Sequence, residues 1–148
     1  MGEQINITGP GSHVTISVLD YERSATDGTD PEWLKCAVDC SVGPFHAKIG
    51  MPFATEDFRR FRDSLADVLA SLKGKARMDT IEDRIRIAIE MGTRGNATVS
   101  GNLSYHSGPQ ATLSFKFETD QTYLARTLSE TDHVLEVFPE RTSAASSS

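Results

Sequence analysis

Positive charge, cysteine and long apolar runs are all scarce in this sequence, and each scarcity excludes a class of protein. The 148 residues carry 15 Lys and Arg against 21 Asp and Glu, a net charge of −6. Nucleic acid and anionic membranes reward clustered Lys and Arg, so neither is expected as the main partner. No apolar run approaches the roughly 20 residues that a membrane-spanning helix needs. The opening Met1-Gly2-Glu3-Gln4-Ile5-Asn6 has neither the basic nor the apolar region of a secretory signal. Catalytic signatures are missing too. There is no Gly-rich phosphate loop with its Lys, no HExxH, no GxSxG elbow and no dinucleotide fingerprint. The expectation is a protein that is not an enzyme and uses no cofactor.

The two cysteines lie in an alternating stretch in which Leu34, Cys36, Val38, Cys40 and Val42 share one face. Residues four apart on a strand are separated by about 13 Å, beyond the roughly 7 Å a disulfide allows. The spacing does not match CxxC, and no further Cys or His stands nearby to make a metal set. Both read as buried thiols packing as small hydrophobes. Unbridged thiols and the missing signal together predict a cytoplasmic protein.

What is present is a regular succession of strands and helices. Residues around Ile5 to Ile7 and Val14 to Tyr21 alternate as strands about a Gly9-Pro10-Gly11 break. Trp33 to Val42 and Phe45 to Met51 form a hairpin across Gly43-Pro44. A helix is predicted from Glu56 to Lys73, with Thr55 as N-cap, Gly74 at its C-terminal side and a stripe of Phe58, Phe61, Leu65, Val68, Leu69 and Leu72. Strands at Lys75 to Thr80, Arg84 to Met91, Asn96 to Tyr105 and Gln110 to Glu118 follow. A second helix is predicted to start after Asp120 as N-cap and run to about Phe138, with Tyr123, Leu124, Leu128, Val134, Leu135 and Phe138 on its apolar side, and Pro139 ends it. Four strands, a helix, four strands and a helix predict a two-layer α+β fold, with an antiparallel sheet of about seven to eight strands and both helices on one face. Residues 1–140 read as a single domain, and 141–148 as a disordered Ser/Ala-rich tail.

Candidate chemistry is sparse. Asp27 to Glu32 lacks the spacing of a calcium loop, so no metal is expected there. His13, His46, His106 and His133 are solitary in sequence. The charge layout is more informative. Asp20, Glu22, Asp27, Asp30 and Glu32 crowd the segment before Trp33, and Glu118, Asp120, Glu130, Asp132, Glu136 and Glu140 cluster about the second helix. Such surfaces serve solubility or dock a basic protein.

Asp30-Pro31-Glu32-Trp33-Leu34 opens a strand, Thr55-Glu56-Asp57-Phe58-Arg59-Arg60-Phe61 starts one helix, and Leu72-Lys73-Gly74 ends it. Phe117-Glu118-Thr119-Asp120-Gln121-Thr122-Tyr123-Leu124 opens the other. In these segments, and in their order over roughly residues 12–140, the sequence resembles the WapI-type immunity proteins of bacterial polymorphic toxin systems. The resemblance implies a cytoplasmic antitoxin that binds a cognate toxin domain, often a nuclease, and blocks it. It carries over no binding residues.

The residues themselves offer Asp27, Asp30 and Glu32 as contacts to a basic nuclease cleft, with Trp33 as an aromatic anchor. The competing role for Trp33 is burial at a strand end. Two other readings stand beside the antitoxin: a small-ligand-binding domain with a pocket between sheet and helices, and an accessory protein that forms a homodimer through an exposed sheet edge.

Overall fold

The computed structural model describes residues 3–22, 32–80, 84–105 and 110–139. The alternating segments become β1 (Glu3–Gly9), β2 (Ser12–Tyr21), β3 (Trp33–Val42) and β4 (Phe45–Ala54), followed by α1 (Thr55–Ser71). Then come β5 (Lys75–Asp79), β6 (Ile85–Met91), β7 (Asn96–Tyr105), β8 (Ala111–Asp120) and α2 (Gln121–Val137). The α+β class and the eight antiparallel strands agree with the sequence analysis. The strands are divided into two sheets, in the orders β1-β2-β3-β4 and β5-β6-β7-β8. Each is a meander of hairpins, because every link within it is short enough only for an antiparallel neighbour. Gly43 makes the β3–β4 turn with a φ of 57°, which glycine adopts without strain.

The inward faces of both sheets and one stripe of each helix form a contiguous apolar core. Cys36 and Cys40 are buried in it as free thiols. Burial pushes Cys36 up to about 12 and Cys40 up to about 11, so neither is a thiolate at neutral pH. Phe53 of β4 stacks on Phe58 of α1 at 4.9 Å, which fixes the helix against the strand it follows.

The two halves of the chain are built alike. β4 and β8 have 10 residues each, and each runs directly into a 17-residue helix. In α1 the buried residues include Phe58, Phe61, Leu65 and Val68; in α2 they are Leu124, Thr127, Thr131 and Val134, at matching turns. Each helix crosses to the other half. α1 packs on β5, α2 packs on β1, and the helices pack on each other. They are joined by an Arg62 Nε to Asp132 Oδ1 bond of 2.7 Å.

That crossing covers two strand edges. The outward amide of Asn6 in β1 donates to Glu130 Oε1 at 2.8 Å, and its carbonyl accepts from Thr127 Oγ1 at 2.7 Å. In the other half the Arg77 amide of β5 donates to Ser64 Oγ at 3.3 Å. Ser64 and Glu130 hold the same position in their helices. Thr119 Oγ1 donates to the Thr8 carbonyl at 2.7 Å and ties β8 to the end of β1. There Gly9 lies so close to β8 that any side chain would strike the Glu118 carbonyl and the Phe117 ring. The stripe expected on α2 named Tyr123, Leu128 and Leu135 but neither threonine. Thr127 and Thr131 are fully buried because each hydroxyl has a carbonyl to donate to.

Both ends of α1 differ from expectation. Ala54, in place of Thr55, takes the N-cap position, and its amide donates to Asp57 Oδ2 at 2.9 Å. At the other end Leu72 is the first residue in the left-handed conformation, with φ 57° and ψ 33°, and Gly74 two residues on has a φ of 92°. α2 starts as expected, with Asp120 accepting from the Tyr123 amide at 3.0 Å.

Asp57 is only 2% exposed, and its Oδ1 has no hydrogen-bond partner among the described residues. Burial raises its carboxyl from the usual 3.8 to about 6, against the pull of the Ala54 amide and with a further push from the Asp79 charge. Between those two values the folded state holds more of the proton than the unfolded state, so this group stabilises the fold as pH falls through 6. At 1.4 kcal/mol per pH unit the effect is at most roughly 3 kcal/mol. In urea denaturation, wild type is expected to gain stability relative to Asp57→Asn between pH 7 and pH 5; a pH-independent difference would show that the carboxyl does not titrate in this range. Thr127→Val keeps the shape but removes the donor to Asn6. It is expected to cost about 1–3 kcal/mol by the same measurement.

Candidate functional site

Of the four residues singled out as a contact surface, Asp27 and Asp30 lie outside the described residues. Glu32 and Trp33 stand at the entrance to β3, and the backbone fixes both. The Trp33 carbonyl accepts from the Glu22 amide at 2.9 Å, and the Glu32 carbonyl accepts from the Thr55 amide at 2.9 Å. Trp33 is half-buried, so part of the ring packs at the strand end and part meets solvent. These two bonds bring the end of β2, the start of β3 and the start of α1 to one place. Asp20, Glu22, Glu32 and Glu56 therefore share one end of the first sheet. In the sequence Glu56 only opens the predicted helix; its contribution to this surface depends on the Glu32–Thr55 bond, which no local pattern announces. Its carboxylate also pairs with Arg60.

The second acidic cluster is largely occupied with structure. Asp120 caps α2, Glu130 binds Asn6, and Asp132 binds Arg62. Glu118 accepts from Thr98 Oγ1 at 3.2 Å. His133 bonds Glu3 at 2.8 Å and lies 3.8 Å from Glu136. Glu140 is outside the described residues. Both acidic surfaces thus carry carboxylates that take part in the structure, and Glu32 and Trp33 stand part-exposed at the end of the first sheet.

Two histidines that are solitary in sequence do meet in space. His13 of β2 and His46 of β4 both approach Asp39 Oδ1, at 3.4 and 3.1 Å, on the outward face of the first sheet. Among the described residues no group of three His, Cys, Asp or Glu is arranged to hold a metal ion. No helix among them is long and apolar enough to cross a membrane.

Among the described residues a cavity of about 220 Å³ between α1 and β5 is lined by Asp57, Arg60, Ser64, Lys75, Arg77 and Asp79. A wider one of about 750 Å³ lies on the outward face of the second sheet.

No curated protein matches the sequence. Among solved structures, a chain of the "CdiA-CT/CdiI toxin and immunity complex from Enterobacter cloacae" aligns at 8% identity with a TM-score of 0.45, over 80% of this chain and 97% of that one. The family model of the immunity protein WapI-like family matches residues 4–139, from the first strand to the end of the last helix. On that match the chain belongs to the immunity protein WapI-like family.

Proposed function

We propose that this chain is an antitoxin that binds the toxin domain of its own system and neutralises it by covering the active cleft. The observation that carries this reading is the family match over residues 4–139. Membership also favours a binding role with no reaction of its own. The toxin is a nuclease: such an enzyme holds a polyanion and so has a basic cleft, to which an acidic protein of net charge −6 is complementary. Residues 1–140 act as one domain in the cytoplasm, where a nuclease toxin would meet its substrate.

The acidic end of the first sheet makes the contact. Glu32 sits on a rigid strand entrance, Asp27 and Asp30 precede it in the chain, and the part-exposed Trp33 supplies an aromatic anchor at the centre. Opposite charges on the two partners raise the association rate most at low ionic strength, because salt screens them over about 10 Å.

Co-expression with the toxin-like domain encoded immediately upstream is expected to restore growth, and the purified complex is expected to weaken as salt rises. Reversing charge at Asp27, Asp30 and Glu32 together should lower the association rate by about tenfold or more, as read by stopped-flow or surface binding. Rescue and affinity unchanged by the triple reversal would remove this end of the sheet from the interface. No rescue by wild type would remove the antitoxin reading itself.

A further inference from the structure

The outward face of the second sheet holds a cation-rich trough on a chain of net negative charge, flanked on the same face by a row of Lys75, Glu90, Thr98 and Glu118 that carries two carboxylates. Strand register sets two rows of outward residues side by side. Arg77, Ala88, Ser100 and Lys116 are mutual neighbours across the four strands, and in the adjacent row Asp79 faces Arg86, then Asn102 and Ser114. The first row has short side chains in the middle and long cations at its ends; the second has Asp79 and Arg86 at one side and the shorter Asn102 and Ser114 at the other. The result is the concavity of about 750 Å³, with a small, mostly polar floor between Arg77 and Arg86 on one side and Lys116 on the other. Strands at about 4.8 Å spacing put Arg77 about 14 Å and Arg86 about 10 Å from Lys116, room for one extended peptide segment with its side chains. Three cations and one carboxylate line this trough on a chain whose net charge is −6.

We propose that the trough seats an acidic segment of the toxin, with Arg77 and Lys116 reaching its carboxylates from opposite sides. This rests on the antitoxin reading and adds a second contact, of opposite sign to the acidic end of the first sheet. Two contacts of opposite sign define an orientation, since turning the partner around would set like charges together at both. The floor suits the role. Ser100, Asn102 and Ser114 offer hydroxyl and amide groups to a peptide backbone, and none is large enough to fill the space. A nucleic acid strand is a poorer occupant, because its affinity grows with the number of phosphates neutralised and this surface has few cations within an acidic whole.

The test is a binding titration of the upstream toxin domain against full-length wild type, Arg77→Glu/Lys116→Glu, Glu32→Lys and the control Lys73→Glu, with a short single-stranded DNA as a second probe. Arg77, Lys116 and Lys73 are all exposed, so the reversals should leave the melting temperature unchanged. The trough variant is expected to lose about tenfold or more in affinity, the control to stay near wild type, and the DNA to bind none of them. If the trough variant binds toxin as wild type does while Glu32→Lys weakens binding, the trough proposal fails and the antitoxin reading stands. If wild type binds no toxin, both fail. DNA binding that depends on Arg77 and Lys116, with toxin affinity unaffected, would reassign the surface to nucleic acid and overturn the proposal.

Discussion

The outer edge of a β-sheet presents backbone amides and carbonyls that must find partners, and in this protein the two helices supply them. Asn6 gives its amide to Glu130 and takes a bond from Thr127, while Arg77 gives its amide to Ser64. Much else follows from that requirement. The helices meet their edges differently: α2 offers Glu130 as acceptor and Thr127 as donor, whereas α1, with Phe61 and Leu65 at the positions of Thr127 and Thr131, offers Ser64 as acceptor. That requirement also brings the helices together, where Arg62 and Asp132 join them. Edges covered in this way cannot template pairing with another chain.

The contribution of acidic residues divides along the same line. Carboxylates on α2 hold the architecture: one caps the helix, one binds an edge strand and one bridges the helices. Those around the entrance to β3 are gathered by backbone bonds and lie at the surface end of a strand. On the outward face of the second sheet, register gathers Arg77, Arg86 and Lys116 around one trough on a chain of net negative charge.

Strand positions were legible in the sequence because burial on one face imposes a period of two. Trp33–Val42 and Asn96–Tyr105 are recovered with their boundaries intact. Where the sheet divides was not legible, since alternation says which residues face inward but not which strands meet across an intervening helix. Polar residues misled in the same way. A threonine reads as solvent-facing until the carbonyl it donates to is known, and Ala54 carries no sign of being a helix cap because the bonding group belongs to Asp57. Of the candidate site, Glu32 and Trp33 were legible as neighbours in a charged segment. Glu56 joins them only through the fold. By alternation Arg77, Arg86 and Lys116 are ordinary outward residues of separate strands, and only register places them around one floor.

The exchange of helices between the halves bears on how the chain matures at the ribosome. β1 emerges well before the helix that covers its edge, which is made from residues 121–137. Until those residues are released, the Asn6 amide and carbonyl have water in place of Glu130 and Thr127. α1 has the reverse timing: it emerges before the strand it will cover. Early segments thus wait on late ones, and the nascent protein passes through a stage in which its first sheet can pair with a neighbour on the same polysome. Completion of the last helix ends that exposure.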